Sequence, residues 1–184
     1  MDLMGSMLIA MPGMADPRFE HAVVLVCAHS PQGAMGLIVN KPVPPGIGWA
    51  ELAEQLGLES GGAAGVAVQF GGPVEPGRGF VLHSPDWPKG RAVQTVAPGI
   101  VLTSTRDILE DIAAGRGPVR ALLALGYAGW GPGQLEAEIG ANGWLTGAAD
   151  AELVLGAANA RKWETALRGL GVDPLSLSAA AGRA

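Results

Sequence analysis

The chain has a single cysteine in 184 residues, Cys27, so no internal disulfide is available to it. Charge is scarce as well, at 16% of residues against a usual level of about 25%. The 12 lysines and arginines are scattered, Arg161-Lys162 being the closest run, and the net charge is −5. Such a chain gains little from releasing phosphate counterions, so specific nucleic-acid binding is not expected. No run approaches the ~18 apolar residues that a membrane-spanning helix needs. The start, M-D-L-M-G-S-M-L-I-A-M, lacks the basic opening and long apolar stretch of a secretory signal. A soluble cytoplasmic protein is the economical expectation.

Signatures of chemistry are missing too. There is no G-x-S-x-G, and no serine, histidine and acid in a recognisable local order. G-W-G-P-G-Q at 129–134 precedes a helical stretch, but no Lys-Ser/Thr follows, and Glu136 and Glu138 would repel phosphate from the first turn. G-G-P-V-E-P-G-R-G at 71–79 carries Glu75; both glycine clusters read as tight turns. Cys27 and His29 alternate along a strand and could face one side. They supply two metal ligands where a structural zinc site takes four and a catalytic one three. We therefore expect no metal, no cofactor and no catalytic residue, with Cys27 buried and unreactive. Asp16, Arg18, Arg106 and Asp107 read as structural ion pairs.

What the chain does have is apolar strand material cut by turns. Hydrophobic residues are 48%, and 29 glycines and 14 prolines divide them. Residues 7–11, 22–28 and 34–40 read as strands, the last two as a hairpin with a four- to five-residue loop. Their near-continuous apolarity predicts burial on both faces. Further strands are expected at 66–70, 79–83, 92–103 with a break at Pro98-Gly99, and 119–125. Helices are expected at 48–56, at 105–114 with Ser104 and Asp107 resembling a capping box, and at 159–170 with Trp163, Ala166, Leu167 and Leu170 inward. Residues 150–155 make a short helical turn, 60–65 a small-residue loop suited to insertions, and the end from about 175 a frayed tail. About eight strands and four helices without βαβ alternation give a single α+β domain over 1–184.

The segment 126–145, G-Y-A-G-W-G-P-G-Q-L-E-A-E-I-G-A-N-G-W-L, is too aromatic for a linker and too glycine-rich for a plain helix. It reads as a shaped loop feeding a short helix, pinned by Trp130 and Trp144, with Gln134 free to face solvent or a cleft. Asn40 either caps neighbouring backbone or lines a pocket. Asn40, His83, Trp130 and Gln134 are the candidate cleft or partner-surface residues.

Several stretches together resemble the AlgH/YqgE family of bacterial proteins. They are L-I-A-M-P-G-M-A-D-P-R-F (8–19), V-V-L-V-C-A-H (23–29), G-A-M-G-L-I-V-N-K-P (33–42), G-G-P-V (71–74), R-G-F-V-L-H (78–83), S-T-R-D-I-L-E (104–110), G-Y-A-G-W-G-P-G-Q-L-E-A-E-I (126–139) and N-G-W-L (142–145). Ala22 stands where the family commonly has serine, and the 57–67 connector is short and glycine-rich. The resemblance implies an α+β fold with a mostly antiparallel, bifurcated sheet curled into a pseudo-barrel and helices outside. It implies a cytosolic protein and transfers no catalytic residue. Three functions follow in order: a non-enzymatic binding or regulatory protein with a protein or small-molecule partner, a transcriptional regulator acting directly, and an enzyme using a pocket near the 126–134 loop.

Overall fold

The computed structural model describes residues 2–59, 65–88 and 93–181, with side chains through 177. The expected small-residue loop at 60–65 lies almost wholly outside the described residues, as does the end of the tail.

Three strands, β1 (Ser6–Ala10), β2 (Val23–Ser30) and β3 (Gly33–Ile38), form an antiparallel meander. Their apolar runs are buried on both faces, as expected. Ile9, Val23, Leu25 and Leu37 enter one core, while Leu8, Val24, Val26 and Ile38 enter a second on the other side of the sheet. The hairpin loop is tighter than the expected four to five residues: Ser30 pairs with Gly33, leaving only Pro31 and Gln32 between them. Proline here costs no ladder bond, and Gln32 N–H is taken by Ser30 Oγ at 3.2 Å.

The sheet continues through β4 (Ala67–Phe70), β5 (Val74–His83), β6 (Val93–Ala97), β7 (Ile100–Thr103), β8 (Ala121–Trp130) and β9 (Trp144–Ala148), in the order β6-β7-β5-β8-β3-β2-β1-β9. Strand β8 is where the sheet divides. One edge pairs with β5; the other pairs with β4, in parallel, along 122–125 and then with β3 along 128–130. The change of partner falls beside Gly126, whose φ is +72°, and a Cβ there would lie 2.3 Å from Gly72 O. Only glycine fits that kink. The β6 end of the sheet comes back to β2 at a second irregularity. A bulge at Cys27 leaves its carbonyl out of the β2–β3 ladder, and Gln94 Nε2 on β6 donates to it at 2.9 Å. The result is an antiparallel sheet curled into a half-barrel.

Among the described residues six α-helices flank it, two more than expected: α1 (Trp49–Gln55), α2 (Arg106–Ala113), α3 (Gln134–Gly140), α4 (Ala151–Leu155), α5 (Asn159–Gly169) and α6 (Pro174–Ala181). The additions are α4, which the sequence suggested only as a turn, and α6, which replaces the expected frayed tail. Proline at its first position, where no N–H is needed, and the Asp173 carboxylate on Leu175 N–H start it. Helix α2 begins one residue later than expected. Thr105 is its N-cap, and Asp107 rather than Ser104 supplies the acceptor, for Ile108 N–H at 3.0 Å.

Helix α5 closes the first core with Trp163, Ala166 and Leu167 inward, whereas Leu170 is 40% exposed. It also buries Lys162, which the sequence did not flag. Lys162 Nζ donates to Val39 O at 2.7 Å and Val154 O at 2.9 Å, tying the end of β3 to α4. No carboxylate answers its charge among these contacts, and burial pushes the amine down to about 8. An unfolded lysine titrates near ~10.4, so between about pH 8 and that value the unfolded chain binds more protons than the native one. Stability measured relative to Lys162→Met is therefore expected to rise with pH across that window, by up to about 3 kcal/mol. Urea melts of both proteins at neutral and alkaline pH check it; a difference flat or falling with pH contradicts the burial.

Candidate functional site

The glycine–aromatic segment is not mostly loop. Its first part is the end of β8, where Ala128 and Trp130 turn to the second core, opposite Gly36 and Ala34 of β3. Gly131–Gly133 then turn the chain into α3, Gly133 having φ +70°. Gln134 is not free: its Oε1 accepts the Gly131 N–H at 3.0 Å, and its Nε2 donates to Glu138 Oε1 at 2.9 Å, one turn on. After α3, a turn through Asn142, at φ +58°, leads into β9 at Trp144.

Glu138 organises the segment. Its Oε2 accepts both the Trp130 indole N–H at 2.9 Å and the Trp144 indole N–H at 2.8 Å. The two indoles pack edge to face, with centroids 6.1 Å apart, and Phe19 packs the same way on Trp144 at 5.8 Å. Phe19 ends a short 3₁₀ turn at Pro17–Phe19, capped by Asp16, whose carboxylate also holds the Arg18 guanidinium 2.6 Å away. That pairing keeps the Asp16 carboxyl below its usual range.

These residues wall a cleft of about 590 Å³. Four separate stretches meet there: 14–19, Pro73-Val74, 129–138 and 141–144. The structure thus brings together two of the four candidate residues, Trp130 and Gln134. Asn40 and His83 do not line the cleft. Asn40 is a backbone cap: its Oδ1 accepts Val23 N–H and its Nδ2 donates to His21 O, both at 2.8 Å. His83 is buried, with Nδ1 against Ser84 O at 2.8 Å and Nε2 against Thr103 Oγ1 at 2.9 Å. Burial lowers its pKa, and Trp87 packs edge to face on its ring. Ser84 Oγ goes to Asp86 rather than to the imidazole, so these three residues form no hydrolytic relay. Sequence reasoning missed Glu138 and Phe19. The Gln134–Glu138 spacing of one helical turn was the available signal for the first.

The remaining candidates are structural in their contacts. His29 Nδ1 accepts Leu3 N–H at 3.2 Å, which fixes the proton on Nε2, facing Glu136 Oε1 at 2.8 Å. Arg106 pairs with Glu110 one turn on, not with Asp107. Cys27 is 1% exposed, and burial pushes its thiol up to about 12. It is expected to react with thiol reagents far more slowly in the native protein than in denaturant. Equal rates in the two conditions would contradict its burial.

A half-barrel sheet with cores on both faces and an aromatic surface cleft defines a mixed α/β domain. The chain belongs to the AlgH-like family, whose model matches residues 7–175. It is 58% identical over 185 residues to a UPF0301 protein from Jannaschia sp. (strain CCS1), covering 100% of this chain and 96% of that one. A UPF0301 protein from Paracoccus denitrificans is 55% identical over 190 residues, covering 100% and 97%. Among solved structures, the AlgH protein from Pseudomonas aeruginosa matches with a TM-score of 0.79 and 40% identity, over 100% of this chain and 96% of that one. A Corynebacterium diphtheriae protein shares the fold at a TM-score of 0.69 and 20% identity, over 94% and 88%. Among the described residues, no helix is long and apolar enough to cross a membrane.

Proposed function

We propose that the chain is a cytoplasmic, non-enzymatic binding or regulatory protein that engages a protein or small-molecule partner through the cleft around Trp130, Gln134 and Glu138. One observation carries this reading. Every residue lining the cleft except Ala141 comes from the stretches by which the sequence resembles its family, although those stretches lie far apart in the chain. A fold could be held together without gathering them on one concave surface.

The make-up of the cleft favours binding over catalysis. Of its two carboxylates, Glu138 is spent on three N–H donors and Asp16 on the Arg18 backbone N–H and guanidinium. A direct transcriptional regulator finds less support. Among the described residues, Arg18, Arg78, Arg106, Arg116, Arg120 and Arg168 are each paired with an acid and Lys162 is buried, so few of these cations are free for phosphates.

Gln134→Ala tests the reading. It removes two exposed hydrogen bonds, so stability should fall by only about 1 kcal/mol. The partner recovered from native lysate should be retained more weakly. An unchanged partner profile with a large loss of stability would mark the cleft as scaffold.

A further inference from the structure

A second cavity, of about 520 Å³, lies between α1 and α2 over β5 and β8. This volume falls in the range of small-molecule sites. It lies back to back with the aromatic cleft across the β5 bulge: Val74 lines the cleft, while Pro76, Gly77 and Gly79 line the cavity. From its lining, we propose that this cavity binds a neutral amphiphile, an aliphatic chain carrying an uncharged hydrogen-bonding head.

The chain preference comes from the walls. Leu52, Val81, Leu109, Leu123 and Leu125 are aliphatic, and among the described residues the cavity has no aromatic liner. At the mouth, Ile47 and Leu56 are 39% and 37% exposed, two large apolar side chains left uncovered beside an apolar hollow. The glycines of β5 point the same way. Neither Gly77 nor Gly79 has a positive φ. A Cβ at Gly77 would meet nothing within 4 Å, and one at Gly79 would meet only the tips of Leu123 and Leu125, at 3.2 and 3.9 Å. Neither backbone conformation nor backbone crowding demands glycine there. Glycine inside a strand costs stability and marks places where a ligand comes close to the backbone.

The head preference comes from charge. Among the described residues Arg106 is the only cation lining the cavity, and it is already engaged: Nε donates to Glu110 at 2.9 Å and Nη2 to Leu56 O at 2.5 Å. Glu51 is held by the Gly48 N–H at 3.0 Å. An anionic head would meet these two acids with no free cation to answer it. Ser104 and Gln55 line the same cavity, and among the described residues neither side chain has a hydrogen-bond partner. They offer neutral donors and acceptors to a hydroxyl or amide head.

Calorimetric titration of the whole protein with decanol and with decanoate tests both halves. Decanol should bind saturably with one site per chain, and decanoate about tenfold more weakly or worse. Gly79→Leu, which fills the cavity, should abolish decanol binding. Ile47→Asp, at an exposed position where the fold has little at stake, should weaken it about tenfold. Absence of saturable decanol binding, or binding indifferent to both substitutions, overturns the site. Equal affinity for decanoate overturns the neutral head. A dimer in sedimentation that Ile47→Asp dissolves would assign the mouth to a second copy of the chain instead.

Discussion

Trp163→Ala is expected to lower stability by ~3–5 kcal/mol, the usual cost of emptying a large aromatic site in a core. The side chain is 8% exposed and sits among the residues of the first core. Its indole N–H donates to Ala10 O at 2.8 Å, so α5 is fastened to β1 by a polar bond as well as by packing. The His21 ring covers its outer side, with centroids 4.2 Å apart. Truncation removes the packing and leaves the Ala10 carbonyl without this donor. Trp163→Phe is the milder variant, because it keeps a six-membered aromatic ring while losing the N–H and the rest of the five-membered ring; about 2–3 kcal/mol is expected. Urea unfolding of the three proteins gives the values. A loss below about 1 kcal/mol for the alanine variant would mean that α5 is not an anchor of the barrel.

Glu138→Ala should cost about 2–4 kcal/mol although the residue is only half-buried. The substitution deprives two indole N–H groups and one amide of their shared acceptor. Trp130 and Trp144 are 7% and 3% exposed, so water replaces that acceptor poorly. Bonds to a charged acceptor are also the stronger kind. Glu138→Gln gives a sharper test. With its oxygen in the Oε2 position it keeps both indole bonds and sets an amide against Gln134 Nε2. It should cost about 1 kcal/mol, the value of one lost hydrogen bond. Equal losses for the two variants would show that the carboxylate charge, rather than the pair of indole hydrogen bonds, holds the segment.

The core strands were legible because burial on both faces leaves a direct trace, the unbroken run V-V-L-V-C-A. The helix of Trp163 was legible for the same reason, through its apolar spacing. Lys162 was not, because its amine is satisfied by Val154 O and by Val39 O, the latter 123 residues earlier, which no local pattern records. Strand β9 was missed because Trp144–Ala148 is short, contains a glycine and takes its ladder from β1, more than a hundred residues earlier. Residues 126–130 looked like loop because Gly126 breaks the pattern. The structure uses that break to change β8's partner while the strand runs on. Of the candidate cleft residues, Trp130 and Gln134 were found through the unusual composition around them. Asn40 and His83 were drawn in by being polar residues at strand ends, and strand ends are also where backbone caps are needed.

The five tryptophans allow the central claim to be tested at the site itself. Indole-¹⁵N-labelled protein should be titrated with native cytosolic extract, separated into small-molecule and macromolecular fractions. Trp130 and Trp144 wall the proposed cleft, whereas Trp163 lies in the first core and Trp87 in a separate cluster with Val81, Ile108 and Leu123. If the cleft is where the protein meets its partner, one fraction will shift or broaden the Trp130 and Trp144 indole signals and leave those of Trp87 and Trp163 in place. Signals from Trp130 and Trp144 that stay fixed in both fractions, while others move, would contradict it.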